Sequence, residues 1–461
     1  MTQAANRHKY NSQALFVSLN SVGSMYQDGV NSDPTGERRN LPIYHPSGNM
    51  IEQLHRVQSL NYGFSIDRMP INQYGELAKI TSVIMEPPTV NLSFNYFLAD
   101  AYNEMLLGLM IDGETQALAL QLGSSGCYDV GESKNYHVLL GPSADDLNYS
   151  DLSTQRGEDE YAVVSIGNGY ITEYRVNGAV GSIPSASVSI EGLNIKSDTG
   201  YTGILHPGID ECGAPNCDFS FSIPNPKSDI TYGVFDYDDC CEKTVTGVHC
   251  LLPGDICINL SGSSLISKST HITGDICNPY SGCDAQGASH IQAFQISAGL
   301  ERTSLNKIGN HFAYYKSVNV PSQVSLSVDA FVADLKDGHL WETLCAGFFG
   351  DVQIVMYPPS CGGLKCPRTI PPPNIVYTLK NVSLENESFD LSIGDNKTVR
   401  LDFKTDIGGK DDPENGFFIS GRIADMELIL GQEQLAQCDA IIQQPPGICA
   451  PILLEKQRGK C

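Results

Sequence analysis

The chain has 461 residues, 41% of them hydrophobic and 18% charged, with a formal net charge of −24. Its length exceeds one ordinary core and asks for two or three domains. The acidic balance excludes a surface built to grip nucleic acid, which needs Lys and Arg. Glycine (44), proline (25), Ser and Asn are plentiful, a mix that favours strands and turns over long helices.

In chain order, "ALFVSLNS" (14–21) reads as an early strand. Its apolar run is too short for a secretory leader, and no run approaches the ~20 apolar residues of a membrane span. No membrane partner is therefore expected. A long loop, 22–53, follows. Gln58–Ile66 then alternates, with Leu60, Tyr62, Phe64 and Ile66 on one face and Ser59, Asn61, Gly63 and Ser65 on the other, the period of a strand. Asp67-Arg68-(x)3-Asn72-(x)2-Gly75 comes next. Asn and Gly tolerate positive φ, so Arg68, Asn72 and Gly75 are read as a shaped hairpin connection with no catalytic role.

Residues 88–98 alternate again, Val90, Leu92, Phe94, Tyr96 and Leu98 against Thr89, Asn91, Ser93 and Asn95. Asp100 stands at the N-cap position of a short amphipathic helix, "DAYNEMLLGLM". Residues 113–166 read as an outward insertion, and "YRVNGAVGSIPSASVSI" (174–190) as a late strand pair.

After residue 250 the same punctuation returns. Without gaps, 57–109 lie over 291–343, with twelve identities in 53 positions, among them Arg68/Arg302, Asn72/Asn306, Gly75/Gly309, Ser93/Ser327 and Phe97/Phe331. The second pair of strands sets Phe294, Ile296, Ala298 and Leu300 against Ala293, Gln295, Ser297 and Gly299. It also sets Val324, Leu326, Val328 and Val332 against Gln323, Ser325, Ser327 and Asp329. Asp334 caps a second short helix. "DICINLSG" (255–262) matches the early strand, and "YTLKNVSLENESFDLSI" (377–393) is laid over 174–190. A spacing this long signals domain duplication, not a solenoid. The divisions are 1–200, a Cys-rich connector 201–250, a second copy 251–435 and a Pro/Cys-containing tail 436–461. The fold class is mainly β: two repeated β-sandwich or barrel domains, each with one short α-helix.

Fifteen cysteines are an odd number, with Cys461 the spare. Cys212, Cys217, Cys240, Cys241, Cys250, Cys257, Cys277 and Cys283 cluster, and Cys361 and Cys366 form a further pair. Structural disulfides, free thiols and a metal site stay open for them, the spacing being wrong for common zinc ribbons. Acidic loops at Asp236–Asp239 and Lys410–Gly416 lack the closing Glu of a calcium loop. No phosphate loop, dinucleotide fingerprint or nucleophile elbow occurs. No catalytic residue, metal or cofactor is assigned, and the chain is not read as an enzyme.

The order of early strand, long loop, strand ending in acid–Arg–(x)3–Asn–(x)2–Gly, Pro-led strand, helix and late strand pair resembles the major tail tube proteins of long-tailed bacteriophages, in their duplicated form. The resemblance implies rings of six domains, here three subunits as a homotrimer, stacked into a hollow conduit for DNA ejection. It also implies other tail proteins at the tube ends, a place in the virion, synthesis in the host cytoplasm, and DNA passing without specific binding. Ser59, Asn61, Ser65, Asn91, Ser93, Asn95, Gln295, Ser297, Ser325, Ser327 and Asp329 would line the lumen. The loops 22–53 and 263–289 would reach the next ring. The competing expectation is a secreted or surface-attached, disulfide-rich β-sandwich binding protein.

Overall fold

The computed structural model describes residues 13–19, 51–118, 133–141, 147, 160–209, 220–226, 250–261, 291–331, 350–357, 373–390, 398–409 and 412–421. The first half contributes β1 (Gln13–Leu19), β2 (Ile51–Gln53), β3 (Val57–Ser65), β4 (Arg68–Ile71), β5 (Thr81–Ile84) and β6 (Thr89–Phe97). The helix α1 (Tyr102–Leu107) comes next, then β7 (Lys134–Leu140), β8 (Ala162–Ala179), β9 (Ser185–Gly192) and β10 (Asn194–Thr199). Two short strands, β11 (Ile204–Leu205) and β12 (Ser220–Phe221), pair with each other. The second half contributes β13 (Ile256–Ser261), β14 (Ile291–Gly299), β15 (Arg302–Leu305), β16 (Tyr315–Val318), β17 (Gln323–Phe331), β18 (Gly350–Met356), β19 (Ile375–Asp390), β20 (Thr398–Asp406) and β21 (Gly416–Gly421). The fold is mainly β, with large antiparallel sheets.

Two long strands organise the halves. The start of β8 pairs β7 and β10, while its end pairs β9 and β14. The start of β19 likewise pairs β18 and β21, and its end pairs β20. Each long strand thus belongs to two layers. The layers bury their apolar faces against one another in a single cluster that includes Val17, Leu92, Tyr136, Tyr174, Leu326, Ile354, Tyr377, Phe403 and Phe417. Alternation with one face dry and one face wet is what two-layer packing of antiparallel strands demands.

One layer runs without a break through both halves, in the order β3-β6-β9-β8-β14-β17-β20-β19. The registers in its two parts coincide. Ser93 faces Ser189 across β6 and β9, and Ser327 faces Asp402 across β17 and β20. With Ser93 and Ser327 in correspondence, Asp402 stands where Ser189 does, an offset of 213. The β8–β9 pairing shifts register between Ile171 and Glu173. The β19–β20 pairing does so between Leu384 and Asn386, the same two places 213 residues on. Asn168 and Asn381, also 213 apart, both hold positive φ, 51° and 53°.

Several expectations meet the structure closely. Strands expected at 57–66, 88–98, 291–300 and 323–332 are observed as β3, β6, β14 and β17, each within a residue or so of the anticipated limits. The late blocks differ. Laying 174–190 over 377–393 uses an offset of 203, whereas the observed registers give 213, so the chain between main and late blocks differs by 21 residues and not 31. The similarity at 203 arose from two stretches of Tyr, Val, Asn and Ser that both alternate with a period of two.

Asp100 is not a helix cap. The residue at the N-cap of α1 is Ala101, with no side-chain cap hydrogen bond. Asp100 instead forms a buried ion pair with Arg56, at 2.8 Å, because a guanidinium removed from water needs a counter-charge more than a helix end needs a cap. Asn103 performs the pinning: its Oδ1 accepts from the His55 N–H at 3.0 Å and its Nδ2 donates to the His55 carbonyl at 2.9 Å. The helix expected after Asp334, most of loop 22–53, loop 263–289 and the acidic loop at Asp236–Asp239 lie outside the described residues. Cys212, Cys217, Cys240, Cys241, Cys277, Cys283, Cys361 and Cys366 do too. Cys257 is buried beside Val355 and Tyr357, and Cys250 is half-buried.

Candidate functional site

The polar residues anticipated on β3, β6, β14 and β17 share one face of the continuous eight-strand layer. Ser59, Asn61, Gly63 and Ser65 on β3 face Asn95, Ser93, Asn91 and Thr89 on β6. β9 extends these rows with Ser187 beside Asn95, Ser189 beside Ser93 and Glu191 beside Asn91. In the second half, Gln295 and Ser297 face Ser327 and Ser325, and Asp329 faces Ala293. The apolar partners of the same strands turn inward: Leu92, Phe94, Ile296, Leu326 and Val328 are all buried.

β8, β9 and β20 supply what sequence reasoning missed. The expectation of faces without Lys or Arg holds for β3, β6, β14 and β17 alone. The intervening strands add Glu173, Arg175, Glu191, Arg400, Asp402, Lys404 and Asp406 to the same face. The signal was present: "SASVSIEG" and "TVRLDFKTD" both alternate strictly. Alternation shows that each strand has a polar face, but not that β8, β9 and β20 lie beside β3, β6, β14 and β17.

Both arginines on this face are held by acids. Arg175 pairs with Glu173, whose Oε1 also accepts from Ser297 Oγ at 3.2 Å. Arg400 Nε donates to Asp402 Oδ1 at 3.1 Å, and its NH2 donates to Ser327 Oγ at 3.0 Å. Ser327 Oγ donates to Asp402 Oδ1 at 2.6 Å, and Asn386 Nδ2 to its Oδ2 at 3.1 Å. Partial burial alone would raise the Asp402 carboxyl, but these donors outweigh it and hold it below the usual range. Asp329 is raised, chiefly by partial burial, with Arg400 opposing and Asp402 adding to the shift. Lys404 is exposed, with Asp406 two positions along the same face. The result is a face of short hydroxyl and amide groups with locked ion pairs and a small acidic excess. Such a face offers a polyanion few counter-charges to exchange for its bound cations.

Among the described residues the layer ends at β3 on one side and at the 383–390 end of β19 on the other, and each of these pairs a single neighbour there. The consequence at β3 is visible in its inward row. Tyr62 is 39% and Phe64 62% exposed, whereas their counterparts Ile296 and Ala298, roofed over beside β8, are fully buried. The turn residues Arg68, Asn72 and Gly75, and Arg302, Asn306 and Gly309, belong to separate two-stranded hairpins, β4–β5 and β15–β16, set between the layer strands. Gly75 and Gly309 have φ of 93° and 96°, so the glycines satisfy the same backbone demand in both turns.

Among the described residues no group of three or more His, Cys, Asp or Glu side chains could hold a metal ion, and no helix is long and apolar enough to cross a membrane. Asp412 closes a local turn by accepting from the Glu414 and Asn415 backbone N–H groups.

No protein-family model and no curated protein matches the sequence. Solved structures do show similarity. The anti-feeding prophage baseplate chain is 8% identical with a TM-score of 0.24, covering 43% of this chain and 98% of that one. A chain of the anti-feeding prophage tube-terminating cap is 8% identical with a TM-score of 0.22, covering 41% and 99%. An Hcp protein is 13% identical with a TM-score of 0.17, covering 36% and 98%.

Proposed function

We propose that this chain is the structural subunit of a bacteriophage-type tail tube, a duplicated tube domain of which three copies close a ring and the rings stack into a conduit for DNA. The observation that carries the reading is the junction between β8 and β14. There the last long strand of one half pairs over seven residues with a strand of the other. Among the described residues the layer then stops at β3 and β19, the counterparts of β14 and β8. Repeating the same junction between molecules pairs β19 of one with β3 of the next, removing two open edges that would otherwise invite uncontrolled pairing. Tyr62 and Phe64 would be roofed over as Ile296 and Ala298 are.

On this reading the Ser/Asn face lines the bore. Ser59, Asn61, Ser65, Asn91, Ser93, Asn95, Gln295, Ser297, Ser325, Ser327 and Asp329 present no cation to a phosphate backbone. The role is passive: length, stiffness and a surface that does not hold DNA, with other tail proteins at the tube ends and the assembly residing in the virion. Electron microscopy of the purified chain, together with its mass in solution, tests this. Rings or tubes built from trimers are expected, and a chain that stays monomeric at high concentration overturns the reading.

A further inference from the structure

The two hairpins have the same length, the same glycine conformation and very different surroundings. β15–β16 lies on the first half of the molecule. Phe312 and Ala313, in its connecting turn, pack with Tyr170, Leu193 and Ile209. The Arg302 guanidinium sits 5.0 Å above the Tyr170 ring and donates from Nε to the Ile171 carbonyl at 3.2 Å. The Tyr315 ring meets Tyr170 edge-on, with centroids 6.1 Å apart. Lys316 closes the clasp with an ion pair to Glu191. Among the described residues β4–β5 has no such cover: all four residues of β4 are exposed, and Tyr74 and Leu77 in its turn are fully exposed.

The offsets assign each contact a counterpart. At 234, Arg302 corresponds to Arg68, Phe312 to Ala78, Ala313 to Lys79 and Lys316 to Ser82. At 213, Tyr170 corresponds to Ser383, Ile171 to Leu384, Glu191 to Lys404 and Leu193 to Asp406. The aromatic members are lost, Phe312 and Tyr170 giving way to Ala78 and Ser383. The guanidinium is kept. Ala313 and Leu193, members of one small apolar cluster, correspond to Lys79 and Asp406, a base and an acid, and both of these residues are exposed. The ion pair of Lys316 with Glu191 becomes a hydroxyl, Ser82, beside the Lys404 ammonium. We infer that β4–β5 is a docking arm that clasps the β19–β20 surface of a second copy of this chain, Arg68 reaching the Leu384 carbonyl and Lys79 meeting Asp406.

This inference rests on the ring reading and adds to it a second contact outside the shared sheet. The polar character has a use. A clasp made of one ion pair and a few hydrogen bonds is too weak to join subunits before their sheet edges have met, so it fixes orientation without making the free subunit sticky.

Charge exchange tests it, read as the concentration at which half the protein is assembled. Lys79→Glu and Asp406→Lys should each raise that concentration about fivefold, the scale of one ion pair, and the double variant should restore it. Arg68→Ala should also weaken assembly. Arg68 and Lys79 lie on an exposed hairpin and Asp406 at the exposed end of β20, where it accepts from Gln323 Nε2, so circular dichroism and a melting curve are run on each variant to verify that it folds as the parent does. If the parent assembles and every variant assembles equally well, the clasp is overturned and the ring stands. If the parent does not assemble, the ring reading falls and the clasp with it.

Discussion

The phenolic oxygens of Tyr174 and Tyr377 lie 3.1 Å apart across the two halves of the molecule, and the Tyr174 hydroxyl also donates to Glu104 Oε1 at 3.0 Å. Tyr96 donates to the same oxygen at 2.8 Å. Glu104 is fully buried, and its Oε2 has no hydrogen-bond partner among the described residues. Burial, opposed by these two donors and aided by nearby Asp100, raises its carboxyl from 4.5 to about 7.

Folding therefore strengthens proton binding at Glu104. A folded pKa above the unfolded one contributes stability that is full below about pH 4.5 and is lost as pH rises through 7. Glu104→Gln, isosteric and always neutral, should flatten that decline and stabilise the protein at pH 8 by roughly 2–3 kcal/mol. Urea denaturation of both proteins at pH 5, 7 and 8 measures it. An unchanged pH slope would show that Glu104 stays ionised in the fold.

That Tyr pair also shows where the sequence could and could not be read. Aligning 174–190 with 377–393 makes Tyr174 and Tyr377 equivalent, but they are contact partners, and the residue in the place of Tyr377 is Val164. Long strands with a period of two can be slid by an even number of residues without spoiling their pattern, and only cross-strand register fixes the true place. The four main strands were legible because Arg–(x)3–Asn–(x)2–Gly, with glycines at 75 and 309, anchors them. The cationic members of the polar face were not, since nothing in the sequence says that β8 and β20 lie beside those strands. The difference between Asp100 as cap and Asp100 as ion-pair partner was equally hidden, because Arg56 lies 44 residues away.

The junction of the halves should be sensitive to one methyl group. A Cβ on Gly178 would lie 2.3 Å from the Phe294 ring, the residue opposite it across β8 and β14. Gly178→Ala should destabilise the protein by about 1–3 kcal/mol, the usual cost of overpacking. Adding Phe294→Leu, which shortens the obstructing group, should recover part of the loss in a thermal melt.

Acid should loosen the first half through His137. Its ring lies between the hydroxyls of Ser18 and Ser165, at 3.0 and 2.9 Å. Burial, with His206 adding to the effect, lowers it from 6.5 to about 3. The unfolded chain thus binds the proton more tightly, and stability falls as pH drops from about 6.5 towards 3. His137→Gln keeps a polar group there without a titrating one. Its stability should vary less with pH across that window, as followed by the Tyr fluorescence midpoint in urea at pH 4 and pH 6.5.

The bore assignment predicts a gain of DNA binding on placing cations at Asn61 and Ser93, which face each other across β3 and β6. Asn61 is exposed and Ser93 half-buried on the polar face, so lysine can be accommodated with its ammonium in water. Assembled Asn61→Lys/Ser93→Lys protein should retain short duplex DNA at low salt, where the parent does not. That retention should vanish steeply as salt rises, because each phosphate contact releases counterions. The two changes leave the β8–β14 junction and both sheet edges' backbones untouched, so assembly itself should be preserved. Retention that is equal for parent and variant, or independent of salt, would place this face away from the channel.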